Sequence, residues 1–137
     1  MEQDIRWKQR FENFDRAVNL LHEPIQQGVE TLNDLEKEGV IQRFEMAVEL
    51  AWKTLKDYLE NAGIAMQPVT PRSVVKEAFA ARIIEDGQVW IDMLDHRNLL
   101  AHTYDVETFE NAVQAINLRY FPVLEHLCQW FKERLQD

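Results

Sequence analysis

The chain has 137 residues, with 15 Lys and Arg against 24 Asp and Glu, which gives a formal charge of −9 with the four histidines neutral. That length holds one domain, 1–137, with a sound core but leaves no room for a catalytic domain beside a separate regulatory one. The acidic balance excludes a protein that coats DNA or an anionic membrane, because such affinity comes from clustered Lys and Arg; a small local phosphate site is still allowed.

Four glycines and four prolines are about half the usual share and predict few turns and long elements. In the first segment Trp7, Phe11, Phe14, Val18, Leu21 and Ile25 recur at spacings of 4, 3, 4, 3 and 4, a single helical stripe expected to fray near Pro24. A second stripe runs through Val40, Phe44, Val48, Ala51, Leu55, Tyr58, Leu59 and Ala62 to a stop at Gly63. Its start lies either at Asn33, which has Glu36 three residues on, or at Gly39. Thr70 caps a third helix that begins at Pro71, where a missing N–H costs nothing, and whose face is Val74, Val75, Ala78, Phe79 and Ile83. Asp86 and Gly87 break the chain before a fourth helix with Trp90, Met93, Leu94 and Ala101 on its apolar side. Asp105 reads as the N-cap of a last helix, striped by Phe109, Val113, Ile116, Tyr120, Val123, Leu127 and Trp130 and kinked at Pro122 by the loss of a backbone donor. The expected fold is all-α: an antiparallel bundle of about five helices, three long, with the third and fourth as a shorter hairpin beside them. Four tryptophans and seven phenylalanines are generous for one small bundle, so part of that surface is expected to be covered by another subunit, in a homodimer or a heteromer.

Several chemistries are missing. The glycines are isolated, so neither a P-loop nor a dinucleotide fingerprint exists. No histidine has a glutamate three positions before it, as a di-metal carboxylate bundle requires, and none lies at zinc spacing with the single cysteine, Cys128. No metal and no cofactor are expected. Ser73 reads as a first-turn helix residue rather than a nucleophile. One cysteine cannot form an internal disulfide, the start MEQDIRWKQRF lacks the apolar core of a signal peptide, and no run approaches the roughly 18 apolar residues that span a bilayer. The expectation is a cytoplasmic protein with no membrane partner.

Polar and titratable groups concentrate in Asp95, His96, Arg97, Asn98, Leu99, Leu100, Ala101, His102, Thr103, Tyr104 and Asp105. Arg97 continues the Trp90 and Leu94 spacing, so a guanidinium falls on or beside a face that should be apolar, and buried Arg is rare without a partner. Arg97 and His102 are about 140° apart on a continuous helix, so they meet only if the helix ends or bends, or if His102 faces its copy across a two-fold axis. A purely structural reading is also open: Arg97 pairs with Asp92 or Asp95, His102 satisfies last-turn carbonyls, and Tyr104 is core with its hydroxyl at the edge.

The run RNLLAHTYD from Arg97 to Asp105, after a tryptophan-containing helix, resembles the HEPN superfamily (higher eukaryotes and prokaryotes nucleotide-binding domains), and within it the nucleotidyltransferase substrate-binding proteins. The motif of Arg, a polar residue, then His and His-x-Tyr is met by Arg97, Asn98, His102 and Tyr104, and the segment VIQRFEMAVEL, Val40 to Leu50, is similar to the family's second helix. The resemblance implies a small helical partner of a separately encoded minimal nucleotidyltransferase, in a two-component toxin–antitoxin system. It implies a metal-independent endoribonuclease in which Arg97, Asn98 and His102 are catalytic, RNA is the substrate and the transferase adds AMP to Tyr104. His102 suits proton transfer near neutral pH, and Arg97 suits the phosphorane through its bidentate fork. One chain supplies too few groups, so the natural catalytic unit is a dimer. Two other readings stay open: a non-catalytic subunit that binds a nucleotide or substrate and presents it to the transferase, which Asp92, Asp95 and Asp105 around the motif favour, and a scaffold in which the motif is a packing cluster.

Overall fold

The apolar stripe of the first segment winds as α1, Glu2–Gln27, in a computed structural model that describes residues 2–136, with side chains described for residues 4–136; the two ends of the expected 1–137 domain lie outside the described residues. The helix does not fray at Pro24. It runs on to Gln27, because the Leu20 carbonyl, which a proline at position 24 leaves without its i+4 donor, accepts a hydrogen bond of 2.6 Å from Arg43 Nη1. A 3-10 turn over Val29–Thr31 leads into α2, Asp34–Asn61. Of the two possible starts the chain uses Asn33, which closes a capping box with Glu36 at 2.8 and 2.9 Å and so satisfies two orphan donors together.

The next elements are α3, Pro71–Ala80, and α4, Gly87–Leu100. Thr70 caps α3 in a reciprocal box with Ser73, so Ser73 has the structural place expected of it. Phe79, expected on the inner face, is 52% exposed: α3 buries only Val74, Val75 and Ala78 against α2. Ala101, expected on the apolar side of α4, is exposed beyond the last turn, and Leu100 is buried instead. Ala62 likewise lies exposed at the end of α2.

The last helical run begins at the Asp105 cap, whose carboxylate accepts from the Thr108 N–H and hydroxyl. It divides into α5, Val106–Ala115, and α6, Phe121–Leu135, joined without a break by a π-helical turn over Ile116–Tyr120. The Phe121 N–H reaches back to the Ile116 carbonyl. The irregularity expected at Pro122 therefore takes the form of a widened turn just before it, which keeps the ring clear of the preceding carbonyls.

Arg10 bonds Asp57 and Glu23 bonds Arg43, so α1 and α2 run antiparallel. Trp7 packs on Phe131 and His22 stacks on Phe121, so α6 is antiparallel to α1. The three long rods enclose one core, with Phe14, Phe44, Leu55, Leu59, Leu124 and Phe131 almost wholly buried, while α3 and α4 lie as a hairpin against α2. The aromatic residues lie mostly inside the chain: Trp7, Trp90 and five of the phenylalanines are buried here, and Trp7, Tyr58, Trp130 and Phe131 form an edge-to-face cluster closed by Arg134, 3.8 Å above the Trp130 ring. Among the described residues no helix is long and apolar enough to cross a membrane.

Candidate functional site

α4 carries Arg97 and Asn98 on its last full turn, and the burial of its Trp90, Met93 and Leu94 in the core decides where those polar groups emerge. Arg97 pairs with neither Asp92 nor Asp95. Its Nη2 donates across the bundle to Glu49 Oε2 of α2 at 3.0 Å, while its Nε is buried without a partner. Asp92 instead holds Arg119 at 2.8 Å and Asp95 holds Arg72 of α3 at 3.0 Å. Asp92 and Asp95 are thus each offset by an arginine, while Asp105 keeps its charge as the cap of the next helix.

Glu49 is the hub of the site. The same Oε2 that accepts from Arg97 accepts from Trp52 Nε1 at 3.1 Å, and Oε1 lies 3.0 Å from Lys53 Nζ. Burial pushes its pKa up, but the hydrogen bonds from Lys53 and Trp52 and the charge of Arg97 outweigh that, and the carboxyl titrates below the usual 4.5. Glu49, Trp52 and Lys53 stand three and four apart and share a helix face. Reading for an apolar stripe passes over them because they flank it, and a carboxylate followed at those spacings by an indole and a lysine is the signal that could have marked them.

Arg97 and Asn98 open, with Glu49 and Trp52, onto a cleft of about 280 Å³ between α2, the start of α3 and α4. His102 and Tyr104 do not line it. The helix ends at Leu100, as a meeting of Arg97 and His102 required, yet among the described residues no hydrogen bond joins their side chains. His102 sits exposed in the connection to α5, with its backbone N–H on the Leu99 carbonyl at 3.1 Å. Tyr104 is no core residue: it is 91% exposed, with its ring edge-on to Phe109.

Behind the motif, His96 Nδ1 shares a hydrogen bond of 3.0 Å with the Tyr120 hydroxyl in the π-helical turn. Burial, then the nearby charge of Arg119, holds its pKa below the usual 6.5. Cys128 is buried, and burial and its hydrogen bond to Asp15 push the thiol up to about 12, so no thiolate nucleophile forms there. Among the described residues no three His, Cys, Asp or Glu side chains converge in the manner of metal ligands.

An antiparallel all-α bundle that presents Arg-Asn at the end of one helix and His-x-Tyr in the following turn defines a HEPN-type domain. The chain matches the family described as nucleotidyltransferase substrate binding protein like over residues 9–133, and it belongs to that family. It is 33% identical over 72 residues to the probable ribonuclease HepT of Haemophilus influenzae, a match that takes in 50% of this chain and 49% of that protein, so about half of that relative's length. A crystal structure of a protein from Thermus thermophilus superposes with a TM-score of 0.72 at 27% identity, covering 90% of this chain and 99% of the other.

Proposed function

We propose that the protein is the HEPN subunit of a two-component toxin–antitoxin pair with a separately encoded minimal nucleotidyltransferase, and that as a dimer it cleaves RNA through Arg97, Asn98 and His102 without a metal. The observation that carries this reading is the disposition of the motif: Glu49 presents Arg97 at an open cleft, while His102 and Tyr104 stand exposed on the next turn, where a second copy can meet them. The relative named a ribonuclease supports it.

In this scheme His102 of one copy takes the proton of the ribose 2′-hydroxyl as that oxygen attacks phosphorus. The bond from phosphorus to the 5′-oxygen breaks, and His102 of the other copy returns a proton to the leaving oxygen. The products are a 2′,3′-cyclic phosphate and a 5′-hydroxyl. Arg97 takes up charge on the phosphorane, and Asn98 orients the RNA strand. AMP on Tyr104, two residues from His102, blocks that place; the phenol oxygen gives up its proton and bonds the α-phosphorus of ATP as the bond from that phosphorus to the bridging oxygen breaks and pyrophosphate leaves.

The test is RNA incubated with the purified protein in EDTA, beside a cleaving control. Cleavage that disappears in His102→Ala supports the assignment; intact RNA refutes the ribonuclease. Co-expression with the transferase should add AMP mass that Tyr104→Phe abolishes. A second reading, a non-catalytic subunit that binds nucleotide for the transferase, is favoured by one observation: Arg97 is already neutralised by Glu49. Under that reading RNA stays intact while nucleotide still binds.

A further inference from the structure

The cleft between α2, the start of α3 and α4 has a composition that neither the motif nor the proposed chemistry accounts for. Its walls are the apolar Val48, Pro71 and Leu94 and the indole of Trp52, and its volume of about 280 Å³ is at the small end of ligand sites. Trp52 is half-buried and, unlike Trp7 and Trp130, has no aromatic neighbour among the described residues. Its N–H is held by Glu49, so the ring is fixed at the cleft wall without a stacking partner.

Charge narrows the ligand. The two arginines of the cleft are each paired with a carboxylate, Arg97 with Glu49 and Arg72 with Asp95, so the cleft is close to neutral and is not built for a free phosphate dianion. Asn98 is exposed at the rim, and its amide makes no hydrogen bond among the described residues. A flat, uncharged heterocycle with donors and acceptors along its edge fits that set, since aromatic stacking and amide contacts to base edges are how single-stranded RNA is read.

We propose that this cleft is a nucleobase pocket, with Trp52 as the stacking platform and Asn98 as the edge reader, and that it takes the base of a single-stranded RNA next to the phosphate at Arg97. The assignment to RNA rests on the ribonuclease reading; the base pocket itself does not.

The test is calorimetric titration of the uncleaving His102→Ala protein with a single-stranded RNA hexanucleotide, 5′-AMP, 5′-UMP and ribose 5-phosphate. AMP should bind at least tenfold more tightly than ribose 5-phosphate, and the hexanucleotide more tightly than AMP. Adding Trp52→Ala should weaken the hexanucleotide and AMP about tenfold or more, the scale of one base stack. Trp52→Phe, which loses the bond to Glu49 but keeps a ring, should stay within about threefold, and circular dichroism should report the same helix content in both. Ribose 5-phosphate binding as tightly as AMP, or affinity indifferent to Trp52→Ala, overturns the pocket. Equal affinity for AMP and hexanucleotide assigns it to free nucleotides and overturns the role in RNA recognition. Base-dependent binding by a wild-type protein that cuts no RNA sinks the ribonuclease and leaves the pocket standing; cleavage indifferent to Trp52→Ala does the reverse.

Discussion

Replacing Glu49 with glutamine removes the charge that holds Arg97 while keeping a side chain of the same shape and an acceptor for the Trp52 indole. Glu49 has three partners, Arg97 at 3.0 Å, Lys53 at 3.0 Å and Trp52 at 3.1 Å. Hydrogen bonds to ionised groups contribute about 1.5–3 kcal/mol where water is excluded, and exposed ion pairs about 0.2–1 kcal/mol. The Glu49 and Arg97 side chains are 30% and 33% exposed, which places their contact between those ranges, and Lys53, more open still, adds little. Glu49→Gln should therefore cost about 1–2 kcal/mol near pH 7, or roughly 3–6 °C in Tm for a domain of this size. The sign of the pH dependence follows from the depressed pKa. A carboxyl that titrates below 4.5 in the folded chain contributes its stability fully above 4.5 and loses it as pH falls through the lower folded value. Thermal melts of both proteins from pH 7 to pH 3, followed by circular dichroism, should show a gap that is constant above pH 5 and narrows in acid, as wild-type Glu49 takes up its proton and comes to resemble the amide. A gap that persists unchanged at pH 3 would mean that shape rather than charge carries the effect, and no gap at pH 7 would refute the ion pair as a structural element.

Three further outcomes are expected. Arg43→Ala should destabilise by about 0.5–1 kcal/mol, because it frees the Leu20 carbonyl bonded at 2.6 Å. In a Pro24→Ala background the helix supplies its own N–H to that carbonyl, so a double-mutant cycle of urea melts should show a smaller loss there; equal losses would sink the account of why α1 survives its proline. Arg82→Gly should stabilise by about 0.5–1 kcal/mol, since Arg82 ends α3 at φ 61 in the same arrangement in which Gly63 ends α2 at φ 82, and a Tm that falls instead would show the Arg82 side chain to be worth more than its backbone strain. Cys128, buried with its thiol pushed up to about 12, should resist iodoacetamide at pH 8 until the chain is unfolded in urea, and labelling of the native protein within minutes would contradict that environment.

Much of the fold is legible because helices announce themselves locally. The stripe in α1, the Thr70-Pro71 start, the Gly63 stop and the Asp105 cap all concern residues within a few positions of one another, and each stands where its spacing places it. The differences have causes that spacing does not carry. Periodicity cannot tell a short helix that buries one narrow face from one that buries more, so Phe79 satisfies the spacing of a core residue and is half exposed. It cannot see that Arg43, on another helix, repairs the carbonyl that Pro24 leaves open.

The Arg97–Asn98 and His102–Tyr104 pattern and the acidic charge of −9 are set by the order of residues alone, and so is the all-α class, since 3.6-residue periodicity and caps are properties of a single segment. The partner of Arg97 is not. Glu49 is 48 residues away, and only the docking of α4 on α2 chooses it over the nearer Asp92 and Asp95, which are drawn off to Arg119 and Arg72 by neighbours on other helices. Tertiary packing likewise decides that the neutral cleft opens beside Trp52 and that His102 and Tyr104 stand outside it, because the direction in which a helix ends depends on what its buried face is packed against.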